Sequence, residues 1–283
     1  QIPIFDMVDP IVIEAAAGRV LPISTVLDQS DVVRCLGTTW DPAEFSRARQ
    51  PLRLKQLHDF QLHAFTQPNA VRVLDMPIKM PDCDEFRLPR ALGQFAETIQ
   101  IIADYEFQLL PQSVRDEYYA YLTIDQRWVA PGTLHREAPC HVDGFQGARW
   151  HPRCLTNHTY TVSDVLPTAY YVQPFDFRGL DEAKHDFFWE MNAQVADTNE
   201  AHRWQPDPGE LTLMDCYSVH RGVVNDTDVP VFRTWLRLSF EERRRVFDRI
   251  GNAHNPLFDY DWEMVPRDIE QLGLVPFRTD VDP

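Results

Sequence analysis

The sequence predicts a mainly β fold, a β-barrel or double-sheet jelly roll with helices packed outside it, and three observations carry that reading. From about Arg127 the chain turns into short β-branched and aromatic runs separated by Pro, Gly and Asp: Asn157–Val162, Thr168–Val172, Glu210–Tyr217 and Val231–Phe240. The first 125 or so residues carry the main helical signals. Proline outnumbers glycine 22 to 11, which favours stiff, directed loops over glycine-rich phosphate cradles.

In chain order, Asp41-Pro42 with Glu44 reads as a helix cap, a proline at the first helical position and an acid in the first turn. They open a helix through Leu54, Leu57, Phe60 and Ala64 that Pro51 splits or kinks. Leu92, Phe95, Ala96, Ile99, Ile102 and Ala103 recur at helical spacing, and Pro111 stops them. A short third helix is expected over Val114 to Tyr121. After the strand texture begins, Asp181–His202 reads as a helix or lid between strands, with Phe187, Phe188 and Met191 on one side. No repeat, low-complexity run or linker divides the chain. The expectation is one domain over 1–283: 1–125 mostly helical support and substrate-side elements, 126–250 the jelly-roll core, 251–283 a C-terminal extension.

Composition removes several function classes. Forty-three acids against 27 basic residues give a net charge of −16, so nucleic acid and anionic membranes are not expected partners. Arg243-Arg244-Arg245, preceded by Glu241-Glu242, is a solvated exit and not a nucleic-acid patch. GxGxxG and GxxxxGK[ST] are both absent. Five cysteines (Cys35, Cys83, Cys140, Cys154 and Cys216), odd in number and without CxxC, point to a reduced, cytoplasmic protein. No stretch approaches the roughly 18 apolar residues of a membrane span.

The chemistry-bearing residues lie in the β half. His141-Val142-Asp143, if extended, puts both side chains on one face. Spacing alone is weak, because 10 His and 43 acids in 283 residues produce about 1.5 His-x-acid pairs by composition, and His135-Arg136-Glu137 is a second one. That second pair reads as exposed hairpin residues. The specificity comes downstream, where Pro208–Asp215 reads as a turn feeding a strand that ends at Tyr217–Gly222 and presents His220, 77 residues beyond Asp143. After the polar turn Asn225–Pro230, the next strand puts Arg233, Trp235, Arg237 and Ser239 on one face. Two guanidiniums aimed into a barrel need an anion to meet them. Cys140, beside His141, reads as a small buried hydrophobe. His158 reads equally well as a co-substrate contact or a core histidine.

In this order, His141-x-Asp143, His220 and then Arg233 thirteen residues on, the segment from about Cys140 to Phe240 resembles the Fe(II)/2-oxoglutarate-dependent dioxygenases. It is most similar to the taurine-dioxygenase-like and clavaminate-synthase-like branch. The resemblance implies a double-stranded β-helix, a cupin-like jelly roll, with Fe(II) held by His141, Asp143 and His220 and with 2-oxoglutarate and O2 as co-substrates. It implies Arg233 on the distal carboxylate of 2-oxoglutarate, although Arg237-Leu238-Ser239 mimics the RxS clamp of another branch and leaves the two arginines interchangeable. Ser239, Asn157 and Tyr160 are further co-substrate candidates. Arg237, Gln146, Arg149 and Trp150 are the substrate candidates. A carboxylate at position 143 argues against the halogenase variant. The implied reaction couples decarboxylation of 2-oxoglutarate to succinate with oxidation of a small molecule, an amino acid or a natural-product intermediate. Hydroxylation is the default; desaturation, ring closure and epoxidation share the same centre. A cupin-type metal isomerase or dioxygenase without 2-oxoglutarate, and a non-enzymatic β-barrel binder, are the alternative readings.

Overall fold

A computed structural model describes residues 10–14, 30–57, 71–136, 139–143, 155–181, 184–242, 253 and 255–259. The strands are β1 (Pro10–Glu14), β2 (Leu52–Gln56), β3 (Arg72–Lys79), β4 (Glu85–Pro89), β5 (Tyr119–Val129), β6 (His158–Ser163), β7 (Ala169–Tyr171), β8 (Arg203–Trp204), β9 (Glu210–Asp215), β10 (His220–Arg221) and β11 (Val231–Glu241). The helices are α1 (Asp31–Cys35), α2 (Ala96–Leu109), α3 (Gln112–Arg115) and α4 (Phe187–Asp197).

Two antiparallel sheets form the core. The large one has six strands in the order β2-β9-β6-β11-β5-β3, and the small one has three in the order β10-β7-β8. Isolated bridges place Leu134 beside Val224 and His141 beside His220, on the free side of β10. From β5 onward the chain therefore crosses between sheets and closes a double-stranded β-helix. The small pair β1-β4 hydrogen-bonds to neither sheet, but its Ile13, Phe86 and Leu88 join the apolar core.

Alternation along the strands gives the large sheet two unlike faces. Leu122, Ile124, Tyr160, Val162, Leu211, Leu213, Leu236, Leu238 and Phe240 join one buried apolar cluster with Phe95, Ile99, Ile102 and Ala103 of α2 and the turn before it. The opposite face carries Thr123, Asp125, Thr159, Thr161, Ser163, Arg233, Arg237 and Ser239, also buried. Registers Arg237↔Thr123 and Arg237↔Thr161 place these polar residues side by side across three strands.

The strands expected in the second half all form, and so does the helix stopped by Pro111. Four expectations need correction. Asp41 does cap, accepting from the Ala43 amide, but the helix it opens is a single 3₁₀ stretch, Pro42–Ser46. Beyond Pro51 the chain runs as strand β2, because Leu52-Arg53-Leu54-Lys55 alternates with period two and pairs with β9. Phe60 and Ala64 lie outside the described residues. The third helix is only Gln112–Arg115, and Tyr119–Tyr121 already belongs to β5. The 1–125 stretch expected to be mostly helical holds four complete strands, β1 to β4, and the start of β5. Among the described residues no helix is long and apolar enough to cross a membrane. Cys35, Cys83, Cys140 and Cys216 are thiols. Cys154 and Arg243-Arg244-Arg245 lie outside the described residues, as does most of 251–283.

Candidate metal centre

Two strands place the histidines. His141 and His220 exchange backbone hydrogen bonds, His141 N to His220 O at 3.0 Å and His220 N to His141 O at 2.9 Å. Directly paired residues share a face, and the two rings lie 4.4 Å apart between centroids. The turn before His220 is braced by Asp215, whose Oδ1 accepts from Ser218 Oγ at 2.8 Å and from the Tyr217 amide at 3.1 Å. Ser218 in turn aims its carbonyl at His220 Nδ1, 2.9 Å away. Pro139 does the same for His141 Nδ1 at 2.8 Å.

These carbonyls accept hydrogen bonds, so each imidazole keeps its proton on Nδ1 and presents a bare Nε2. Burial, reinforced by the neighbouring His141, lowers His220 to about 4, which leaves it neutral at pH 7. Asp143 closes the group: ligand-capable atoms of His141, Asp143 and His220 all lie within 4.8 Å of one another. Two imidazoles and one carboxylate on one side form a donor set that fits non-haem Fe(II).

The two arginines have different partners. Arg237 Nη1 donates to both Asp143 oxygens, at 3.3 and 3.1 Å, and its Nη2 donates to Asp75 Oδ1 at 2.7 Å. Arg233 is also buried, yet its Nε donates only to the backbone carbonyls of Val165 and Leu166, both at 3.1 Å. Among the described residues it forms no ion pair. Burial lowers its guanidinium to about 10, against the pull of Asp164 and Asp125, so it stays cationic at neutral pH. Between the two, the Trp235 ring has three guanidinium carbons near it: Arg136 at 5.5 Å, Arg233 at 5.9 Å and Arg237 at 5.4 Å. The buried Trp235 Nε1 has no hydrogen-bond partner among the described residues.

Beneath them Asp125, fully buried, gathers Arg127, Arg136 at 3.2 Å, His135 at 3.2 Å and Arg72 at 3.7 Å. Burial alone would raise its carboxyl, but the hydrogen bonds and charges of His135 and Arg127 outweigh that and hold it below the ordinary carboxylate range. Tyr170 closes the small-sheet side, its hydroxyl 3.0 Å from Thr161 Oγ1 and its ring 5.8 Å from that of His220.

Other sequence candidates scatter. Ser239 accepts from Thr159 Oγ1 at 3.2 Å within the polar face. Asn157 is buried and its Nδ2 has no partner among the described residues. Tyr160 is a correction: it points to the opposite face of the sheet, where its hydroxyl donates to Glu106 at 2.9 Å, because its position alternates with Thr159 and Thr161. His158 lies on that same apolar face, with Nε2 2.8 Å from Glu106, and is a core histidine. His135, expected on an exposed hairpin, is buried beside Asp125, one residue after the Leu134↔Val224 bridge. Burial pushes the Cys140 thiol up to about 11, in keeping with a packing role. Gln146, Arg149, Trp150 and Glu137 lie outside the described residues. The residues missed are Asp75, Thr123, Asp125, Arg127 and Arg136. Alternating polar residues in Leu122-Thr123-Ile124-Asp125-Gln126-Arg127 carry a signal for three of them.

No protein-family model matches the chain, and no curated protein matches it. Among solved structures it is similar to EvdO2 from Micromonospora carbonacea var. aurantiaca complexed with 2-oxoglutarate: 15% identity over 79% of this chain and 99% of that one, TM-score 0.37. EctD from S. alaskensis in its apoform is 16% identical over 83% of this chain and 82% of that one, TM-score 0.37. The non-heme monooxygenase ThoJ, in its Ni complex, is 12% identical over 59% and 64%, TM-score 0.26.

Proposed function

We propose that this chain is a mononuclear non-haem Fe(II) oxygenase of the taurine-dioxygenase-like branch, oxidising a small molecule at the expense of 2-oxoglutarate and O2. The observation that supports it most is one polar face that carries both a 2-His-1-carboxylate donor set with bare Nε2 atoms and, on β11, a buried guanidinium without an ion pair among the described residues. His141, Asp143 and His220 would hold the metal. Fe(II) bound there supplies the redox chemistry that turns 2-oxoglutarate, O2 and a C–H bond into succinate, CO2 and a hydroxylated product.

The protein's own part is positional. Pro139 and Ser218 hold the imidazole protons at Nδ1, away from the metal side. Arg233 receives the distal carboxylate of 2-oxoglutarate, an anion that offsets its buried charge. Arg237 is paired with Asp143, which favours Arg233 for that task. Substrate is a small molecule such as an amino acid or natural-product intermediate, with hydroxylation the default outcome. A reducing, cytoplasmic setting and the lack of nucleic-acid or membrane partners complete the reading.

Anaerobic protein mixed with Fe(II) and 2-oxoglutarate tests it. A weak visible charge-transfer band is expected, absent in His220→Ala and weakened in Arg233→Ala. Metal binding without the band would favour a cupin-type enzyme that does not use 2-oxoglutarate. No metal binding at all would favour a β-barrel binder.

A further inference from the structure

Asp75 lies outside the motif and on a different strand from every proposed ligand. In β3 the register with β5 slips between Val73 and Met76, and at the slip Asp75 takes φ +49, a left-handed conformation that aspartate adopts more readily than most residues. The slip turns its side chain into the polar face, where it is 2% exposed. Thr123 fixes it from below: its Oγ1 accepts from the Asp75 amide at 3.0 Å and donates to Asp75 Oδ1 at 3.3 Å. The carboxylate then accepts from Arg237 Nη2 at 2.7 Å, while Nη1 of the same guanidinium spans both oxygens of Asp143.

One cation is thus shared by two buried carboxylates. Paired with Asp143 alone, Arg237 would cancel the ligand's charge and compete with a divalent cation for it. Shared with Asp75, it orients Asp143 while the trio keeps a net charge of −1. We propose that Asp75 is a positioning residue for the metal centre: it takes up the charge of Arg237 so that Asp143 is aimed and yet remains anionic toward the metal. This rests on the reading of His141, Asp143 and His220 as metal ligands.

The test is Co(II) affinity of the full chain, read by the visible d–d bands and by calorimetry, with no 2-oxoglutarate added. Asp75→Asn, which keeps a residue tolerant of the left-handed backbone, weakens Co(II) binding by about tenfold or more, the usual size of an outer-shell loss. Adding Arg237→Gln to it removes both charges together and returns the affinity to within about threefold of wild type, a coupling that a merely structural role would not show. Arg237→Gln alone, which keeps both carboxylates, binds Co(II) no more weakly than the double variant, and weaker binding would overturn the proposal, a comparison that stands even if Asp75→Asn does not fold. Wild-type affinity in a folded Asp75→Asn, or no recovery in the double variant, overturns the role of Asp75 and leaves the metal centre standing. Failure of wild type to bind Co(II), or full binding by His220→Ala, overturns both.

Discussion

The two faces of the large sheet come from the same strands and do opposite work. On β11, Leu236, Leu238 and Phe240 enter the apolar cluster under α2, while Arg233, Arg237 and Ser239 point between the sheets. The first face is ordinary hydrophobic burial, tolerant of which residues meet so long as the volume is filled. The second buries charge, which is expensive unless each group is paired or awaits a ligand. Most of its groups are paired: Arg237 with Asp143 and Asp75, and Asp125 with Arg127, Arg136 and His135. Arg233 forms no ion pair among the described residues, and under the proposed function it is where the distal carboxylate of 2-oxoglutarate would sit. Stability and chemistry are thereby separated by a single strand's thickness.

Substitutions on either face can break that separation. Phe240→Ala empties a site against His158, whose ring it stacks at 5.0 Å, and against Phe86 at 6.2 Å. It is expected to cost about 3–5 kcal/mol in denaturant unfolding, with Co(II) affinity unchanged under conditions where the variant is folded. A matching loss of metal affinity would show that the faces are coupled.

The polar face answers to pH. Burial lowers His135 below its ordinary 6.5, so as pH falls through 6.5 the unfolded chain takes up a proton that the folded chain refuses, and stability declines by at most about 1.4 kcal/mol per unit. Asp125, held below the ordinary carboxylate range, contributes stability that is present above about pH 4 and lost below it. His135→Gln should flatten the upper part of this slope and also shrink the part below pH 4, because His135 helps hold Asp125 low, measured as unfolding free energy against pH. An unchanged slope would place His135 outside the buried charge set.

Tyr160→Phe is the smallest change. Removing the hydroxyl from Glu106 is expected to cost about 1 kcal/mol and to leave 2-oxoglutarate affinity untouched, since that side chain belongs to the apolar face. A weakened co-substrate would return it to the role its sequence position suggests.

Much of the fold and site is legible in the sequence for identifiable reasons. Strands β6, β9 and β11 announce themselves through alternation, and α2 through its apolar stripe. The relation of His141 to His220 is carried by the motif order His141-x-Asp143 then His220, and the His141↔His220 bridge brings the two together. β2 hides behind a capping signal at Asp41 that is real, and only the two-residue period after Pro51 tells that the helix does not continue. β3 carries Pro77 and Asp75, which argue against a strand unless it lies at a sheet edge with bulges, and it does. Asp75 cannot be placed on the site from spacing, because its contact with Arg237 depends on a register slip that no local pattern encodes. Tyr160 differs from its expected place by one residue of parity, enough to move it to the other face.

Titration of 2-oxoglutarate into the Mn(II)-loaded protein tests the central claim most directly. Arg233→Leu should weaken binding by about 100-fold or more, the cost of removing one partner of a buried charge pair, while the unfolding midpoint and Mn(II) affinity stay at wild-type values. Wild-type 2-oxoglutarate affinity in Arg233→Leu would contradict the account, because a buried guanidinium without an ion pair among the described residues would then have no anion to receive.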